Sequence, residues 1–269
     1  MIDNPRSPRV RAVAKLRKRE ARLETGLFLL EGPQAVAEAL AFRPELVVEL
    51  YATPTALERY PDIALAVENE GIDFEFVSEQ VLDSMADTVT PQGLVAVCRQ
   101  FPTSVKDILA DGPRLLAILE EVRDPGNAGT IIRAADAAGA DGVIFTGRSV
   151  DLYNPKVVRA TTGSLFHVPV AVGAELESVI ERTRAAGIRI LAADIKGADL
   201  LAARNADLLG GPTAWLFGNE ARGLSDEHVA LADSAISVPI YGHAESMNLA
   251  TAASVCLYES AFAQRSADS

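Results

Sequence analysis

Three polar stretches hold the side chains with most to offer chemistry. One is Gly218-Asn219-Glu220-Ala221-Arg222-Gly223-Leu224, which sets an amide, a carboxylate and a guanidinium between two glycines. The apolar run before it, 213–217, stops at Gly218 as a buried strand ending in a turn does. A second, Val238-Pro239-Ile240-Tyr241-Gly242-His243-Ala244-Glu245-Ser246-Met247-Asn248, leads into an alanine-rich stretch. It reads as a strand end, a polar loop and a helix start, where free amide donors suit an anionic or carbonyl-bearing ligand. The third lies upstream, where Asp124-Pro125-Gly126-Asn127 opens a helix carrying Arg133 and Asp136. Glycines in such loops let backbone approach a ligand closely. Taken singly, each loop also fits a solvated turn. Together, three strand-end loops in an alternating chain place a ligand crevice at the carboxyl edge of a sheet. No lysine follows Gly223, so this is not a phosphate-binding P-loop, and Pro125-Gly126-Asn127-Ala128-Gly129 is a poor substitute for a dinucleotide Gly-x-Gly-x-x-Gly.

The elements that must carry these loops alternate along the chain. A basic helix is expected over 9–24, with Val10, Val13, Leu16 and Leu23 as its apolar edge. Strands follow at 27–31, 46–51, 72–77 and 93–98, with helices at 33–42, 55–60, 62–70 and 78–86. That makes a compact α/β unit of about a hundred residues. A proline- and glycine-bearing linker, 101–112, includes a short helix at 105–110. Beyond it, strands are expected at 114–119, 142–146, 167–172, 189–193, 213–217 and 234–238. Helices are expected at 127–138, 155–161, 176–186, 226–230 and 248–264, with a frayed tail over 264–269. Such alternation supports an open, mostly parallel sheet with helices on both faces.

Composition narrows the partners. No apolar run reaches the roughly 18 residues of a membrane span, and the N-terminus lacks the apolar segment of a secretory signal. Two distant cysteines, Cys98 and Cys256, give neither metal-ligand spacing nor a disulfide framework. They suit small buried hydrophobes in a cytoplasmic protein with no metal. A net charge of −12 argues against a nucleic-acid partner. Its distribution argues for one. Residues 1–24 hold eight basic side chains and three acids, +5 in all, leaving −17 for the remainder. A basic arm on an acidic body suits contact with nucleic acid, and a solvated helix face is the competing reading.

In this order and at these separations, the three stretches resemble the motifs of the SpoU (TrmH-type) RNA ribose 2′-O-methyltransferases of the SPOUT superfamily. The resemblance covers roughly 113–262. Asn127 and Arg133 stand on characteristic positions of the first motif, Gly-Asn-Glu-x-x-Gly-Leu looks like the second, and Ser246-Met247-Asn248 like the third. A weaker resemblance over Gly26-Leu27-Phe28-Leu29-Leu30-Glu31-Gly32-Pro33-Gln34-Ala35-Val36 is to the L30e-like domain that precedes many SpoU domains. There Glu31 suits an anchor of the turn.

The resemblance implies a fold and a set of roles. The fold is an N-terminal L30e-like α/β domain over 1–100 and a C-terminal SPOUT domain over 113–269, with a mostly parallel sheet and a deep trefoil knot. The cofactor is S-adenosyl-L-methionine, held at Phe217, Gly218, Asn219, Val238, Ile240, Met247 and Leu249, largely by backbone. Met247 departs from the leucine more usual in the family. The catalytic set is Asn127, Arg133, Glu220, Ser246 and Asn248. Because arginine stays protonated, Arg133 either stabilises the developing alkoxide or bridges to phosphate. Asn127 would also cap its helix, Glu220 would orient Arg133 or the ribose, and Ser246 either meets the ligands or caps the last helix. RNA contacts are expected from Arg9, Arg11, Lys15, Arg17, Lys18, Arg19 and Arg159. The implied substrate is ribosomal RNA of the 23S type ahead of transfer RNA, and the implied assembly is a homodimer. A catalytically silent RNA-binding member of the fold is the alternative.

Overall fold

The computed structural model describes residues 1–267. It divides into two compact units: Met1–Phe101 with Asp151–His167, and Pro102–Val150 with the chain from Val168 onward.

The first unit is built on β1 (Leu27–Glu31), β2 (Val47–Ala52), β3 (Asp73–Phe76) and β4 (Leu94–Arg99), in the order β1-β4-β2-β3. Strand β4 runs antiparallel to β1 and β2, and β3 is parallel to β2. The expected basic helix is two helices, Pro8–Lys15 and Arg19–Thr25. Val10, Val13 and Leu16 do enter the core, beside Tyr51, Leu82 and Met85. Leu23 does not; it is 65% exposed. The inward place on the second helix belongs to Arg22. Its guanidinium donates to the Leu16 and Arg17 carbonyls, both at 2.8 Å, and pairs with Asp151 at 2.5 Å. Those carbonyls have left the first helix without amide donors of their own, so the buried arginine stabilises the break.

The segment Asp151–His167, expected in the second domain, is part of this first unit. Three contacts explain why. Asp151 pairs with Arg22, and Tyr153 lies 4.8 Å from the Phe28 ring, meets Phe101 edge-on and accepts from the Phe101 amide at 2.7 Å. Arg159 reaches Glu31 at 3.2 Å and Asp87 at 2.9 Å. Glu31 is buried and also accepts from the Asp87 and Thr88 amides, both at 3.1 Å, so it anchors the turn after helix Glu79–Met85.

The second unit holds β5 (Leu115–Glu120), β6 (Gly142–Thr146), β7 (Val170–Ala174), β8 (Arg189–Asp199), β9 (Thr213–Phe217) and β10 (Ser234–Ser237), in the order β10-β8-β9-β5-β6-β7. Every pairing is parallel. Strands this deep read as near-continuous apolar runs because both faces are covered. One core face gathers Leu116, Ile118, Ile144, Val179, Ile190 and Leu216. Each such side chain contributes about 1.5–3 kcal/mol by leaving water. The last helix, Leu249–Ala267, is fixed to the sheet by polar bonds as well: Trp215 Nε1 donates to Ser260 Oγ at 2.9 Å, and Gln264 Nε2 to the Arg114 and Gly211 carbonyls. The helix therefore continues through most of the expected tail, of which 268–269 lie outside the described residues. Strand β8 runs six residues beyond its expected end, and a short helix, Leu200–Asn205, follows it.

Both cysteines are buried, and desolvation pushes the Cys256 thiol up to about 12 and the Cys98 thiol higher still. Neither is a thiolate at neutral pH.

Candidate active site

The three polar loops come together in the second unit, at the carboxyl ends of β5, β9 and β10. Helix Pro125–Ala138 starts just after β5. Its N-cap is Asp124, whose side chain accepts from the Asn127 amide at 2.8 Å. Pro125 at the first helical position, where no amide hydrogen is needed, explains why the helix begins two residues earlier than expected. Asn127 is thus free of the capping role. Its Oδ1 accepts from Asn248 Nδ2 at 2.9 Å, across 121 residues of sequence. Asn248 in turn caps the last helix, its Oδ1 accepting from the Ala250 and Thr251 amides. One bond therefore joins the starts of two helices. Between them lies an open cavity of ≈ 470 Å³, lined by Asp124, Asn127, Thr130, Asn248, Thr251 and Ser254 among others.

The loop after β9 is laced to the loop after β5. Asn219 Nδ2 donates to the Glu121 carbonyl at 2.8 Å. Glu220 Oε1 accepts from the Arg123 and Asp124 amides at 3.1 and 2.9 Å. Of its two expected partners, Arg133 or the ribose, Glu220 makes no bond to Arg133; its carboxylate is turned onto backbone at the start of the first-motif loop. Gly218 is required by space: a Cβ there would lie 2.4 Å from the Gly223 carbonyl carbon. The Asn219 and Gly223 backbones bond each other in both directions, at 3.2 and 2.8 Å, and close the turn.

Arg133 is exposed on helix Pro125–Ala138 and has no hydrogen-bond or ion-pair partner among the described residues. Its guanidinium is available to an incoming group. Ser246 is exposed and does not cap the last helix, since Asn248 does. Of the expected cofactor residues, Phe217 and Gly218 are buried, Asn219, Val238, Met247 and Leu249 are half-buried, and Ile240 is exposed. Among the described residues, 238–247 make no intramolecular hydrogen bond. Backbone donors and acceptors without internal partners, next to half-buried apolar side chains, fit a ligand with an apolar heterocycle and polar edges.

Two of the expected RNA contacts are committed elsewhere. Arg9 donates to the Tyr51 hydroxyl and pairs with Glu49 and Glu75, and Arg159 pairs with Glu31 and Asp87. Arg11, Lys15, Arg17, Lys18 and Arg19 are exposed, though Arg17 also donates to the Ala14 and Ala86 carbonyls. Sequence reasoning missed Asp124, which Asp-Pro before a periodic run signals as a cap, and Thr130, which stands one helical turn from Asn127. It also missed Glu121 and Arg123, for which no local pattern gives notice. Among the described residues, no group of three or more His, Cys, Asp or Glu could hold a metal, and no helix is long and apolar enough to cross a membrane.

Known proteins resemble this chain in sequence and fold. Residues 114–258 match the SpoU rRNA Methylase family, and 29–104 match the RNA 2'-O ribose methyltransferase substrate binding family. The 23S rRNA (guanosine(2553)-2'-O)-methyltransferase RlmP of Bacillus subtilis (strain 168) is 32% identical over 263 residues, 96% of this chain and 97% of its own. The crystal structure of AdoMet-bound rRNA methyltransferase from Sinorhizobium meliloti superposes with a TM-score of 0.83 at 32% identity, covering 96% of each chain. That of the SpoU methyltransferase AviRb from Streptomyces viridochromogenes, in complex with the cofactor AdoMet, gives 0.83 at 30% identity and covers 97% of this chain and 100% of that one. With two family matches in succession, relatives alike over nearly the whole length and a parallel sheet whose loops carry all three motifs, the chain belongs to the SpoU rRNA methylase family.

Proposed function

We propose that this protein moves a methyl group from S-adenosyl-L-methionine to a ribose 2′-hydroxyl of ribosomal RNA. The observation that carries the reading is the meeting of the three motif loops at one sheet edge, closed by the Asn127–Asn248 bond. In the reaction the methyl–sulfur bond breaks, the methyl–oxygen bond forms, and the hydroxyl proton leaves. The cofactor, when bound, supplies an already activated methyl. What remains for the chain is to align two reactants and stabilise charge on the attacking oxygen.

Val238, Ile240, Met247 and Leu249 would hold the adenosine among apolar side chains and loop backbone, with Phe217, Gly218 and Asn219 forming the opposite wall. Asn127 and Asn248 fix each other beside the cavity and present amides to the ribose. Arg133, protonated at working pH, stabilises the developing alkoxide as a fixed cation in place of reorganising water. Glu220 acts at one remove, holding the first-motif loop by two amides so that Asn127 and Arg133 keep their places. Ser246 offers a hydroxyl from the exposed third-motif loop.

The relatives' 23S rRNA activities and the substrate-binding family match support the substrate class. Arg11, Lys15, Arg17, Lys18 and Arg19 supply the cations that phosphate needs, on a chain otherwise acidic. A homodimer belongs to the same reading. Tyr258 and Phe262, 37% and 51% exposed with ring centroids 5.6 Å apart, give the last helix an apolar outward face that suits a second copy. The family's trefoil knot and a cytoplasmic location complete it.

The test is methyl transfer from labelled S-adenosylmethionine to unmodified ribosomal and transfer RNA, followed by digestion to nucleosides and mass analysis. A 2′-O-methylnucleoside from ribosomal RNA is expected. A base-methylated product would overturn the ribose assignment, and transfer to transfer RNA alone would overturn the substrate class. Arg133→Ala is expected to keep cofactor affinity and lose at least a hundredfold in kcat.

A further inference from the structure

The side chain of Glu121 is the feature of this site that neither the fold nor the catalytic set requires. Its backbone is left-handed, with φ 50, one of three such non-glycine residues among those described. A side chain in that conformation is strained and persists only where its surroundings insist on it. The Glu121 amide donates to the Thr146 carbonyl at 3.3 Å and its carbonyl accepts from Asn219, which fixes the backbone, and the side chain so aimed meets a pair of arginines. Arg123, from the same loop, and Arg222, from the loop after β9, both donate to one oxygen, Glu121 Oε2, at 3.1 and 2.6 Å. The Glu121 side chain is mostly covered, whereas those of Arg123 and Arg222 are 53% and 68% exposed. Neither guanidinium has a second acceptor among the described residues, so most of the fork of each faces outward.

Two guanidiniums brought tip to tip would repel. A carboxylate beneath them removes that cost and sets their spacing. The pair stands at the start of the loop whose next residues are Asp124 and Asn127. The other carboxylates nearby, Glu220 and Asp124, are turned onto the amides of Arg123, Asp124 and Asn127 at the start of helix Pro125–Ala138, where the helix dipole opposes their charge. We propose that Glu121 gathers Arg123 and Arg222 into a clamp for a phosphodiester of the substrate RNA next to the target ribose. The clamp rests on the function proposed above and adds to it. A planar fork matched to phosphate oxygens gives register as well as attraction, and phosphate contacts fix the position of a nucleic acid without reading its sequence. On an acidic body, a local phosphate site beside the reacting ribose does what a general basic patch does not: it holds one nucleotide in place.

The same fork could instead take the carboxylate of the methyl donor, and the experiment separates the two. Binding of an unmodified 23S ribosomal RNA transcript to the full-length chain is measured across a salt series, alongside calorimetric affinity for S-adenosylmethionine and steady-state kinetics. For Arg123→Ala/Arg222→Ala the slope of log affinity against log salt is expected to fall by about 0.7 for each phosphate contact removed. The RNA KM is expected to rise several-fold while cofactor affinity stays as in the parent. Arg222→Lys, which keeps charge and loses the fork, is expected to restore the slope and only part of the KM. An unchanged slope and KM would reduce the arrangement to a surface ion pair and overturn the clamp. A loss of cofactor affinity with unchanged slope would overturn it in favour of the carboxylate. Glu121→Gly supplies an independent readout: relief of the left-handed strain is expected to keep or raise the melting temperature while the RNA KM rises. A lower melting temperature with unchanged KM would make Glu121 a brace and overturn its gathering role. If the parent protein transfers no methyl, the proposed function fails, and the salt slopes still decide the clamp.

Discussion

Asn248 does two things with one amide, and they can be separated. Its oxygen caps the last helix through the Ala250 and Thr251 amides, and its nitrogen bonds Asn127. Asn248→Asp keeps the cap, since Asp serves as well as Asn there, but removes the donor. We expect an unchanged melting temperature and about a tenfold lower kcat, the worth of one lost hydrogen bond of about 1.4 kcal/mol. Asn248→Ala loses both and is expected to cost about 1 kcal/mol of stability besides. Thermal melts and single-turnover rates on the two variants check this; equal melting temperatures would deny the capping role. At this scale the sequence was legible where a residue type has few uses. Gly218, which a side chain would drive into the Gly223 backbone, is such a case. It was less legible where a residue has several. Asn127 looked like a cap because Asn often is one, but Asp124 before Pro125 is the better cap and took the place. Glu220 stands out by its motif, yet its partners are backbone amides, which no motif displays.

Elements were largely readable because their signals are local. Buried strands announce themselves as short apolar runs, and β1, β6 and β9 lie where the runs do. The failures came where a distant residue decides. The N-terminal helix breaks because Arg22 can satisfy the Leu16 and Arg17 carbonyls while paired to Asp151, a residue 129 positions away. Likewise helix Pro155–Thr161 was placed correctly, but Arg159 on it was taken for an RNA contact. It serves the first unit through Glu31 and Asp87. Removing it leaves the Glu31 carboxylate buried with only two amide donors. We expect Arg159→Ala to cost about 1–3 kcal/mol in denaturant unfolding, with the salt slope of RNA binding unchanged. A reduced slope without loss of stability would return Arg159 to the RNA surface.

For the molecule as a whole, charge was legible and assembly was not. A basic arm of +5 against −17 elsewhere can be counted from the chain, whereas neither periodicity nor spacing encodes how a strand threads or what covers a helix face. Both were expected only through the resemblance. The structure adds a physical reason to look for a second copy: among the described residues, Phe262 and Tyr258 leave two adjacent rings outward on a helix whose other side is fixed to β9 and to helix Pro125–Ala138. Tyr258 spends its hydroxyl on the Ala137 carbonyl at 3.2 Å, so its ring cannot turn to bury itself without losing that bond. Covering such a pair against an equivalent pair would remove apolar surface at about 25 cal/mol per Å², and a charge set there would have to be desolvated instead. Phe262→Glu is therefore expected to halve the mass seen in sedimentation while leaving each chain folded. Since Asn248 begins this same helix, a homodimer that completes the site should lose turnover with its mass, in proportion to the monomer fraction and recoverably at high protein concentration. A variant that stays at the parent's mass would remove Phe262 from the interface. One that becomes monomeric with full kcat would show that each chain works alone.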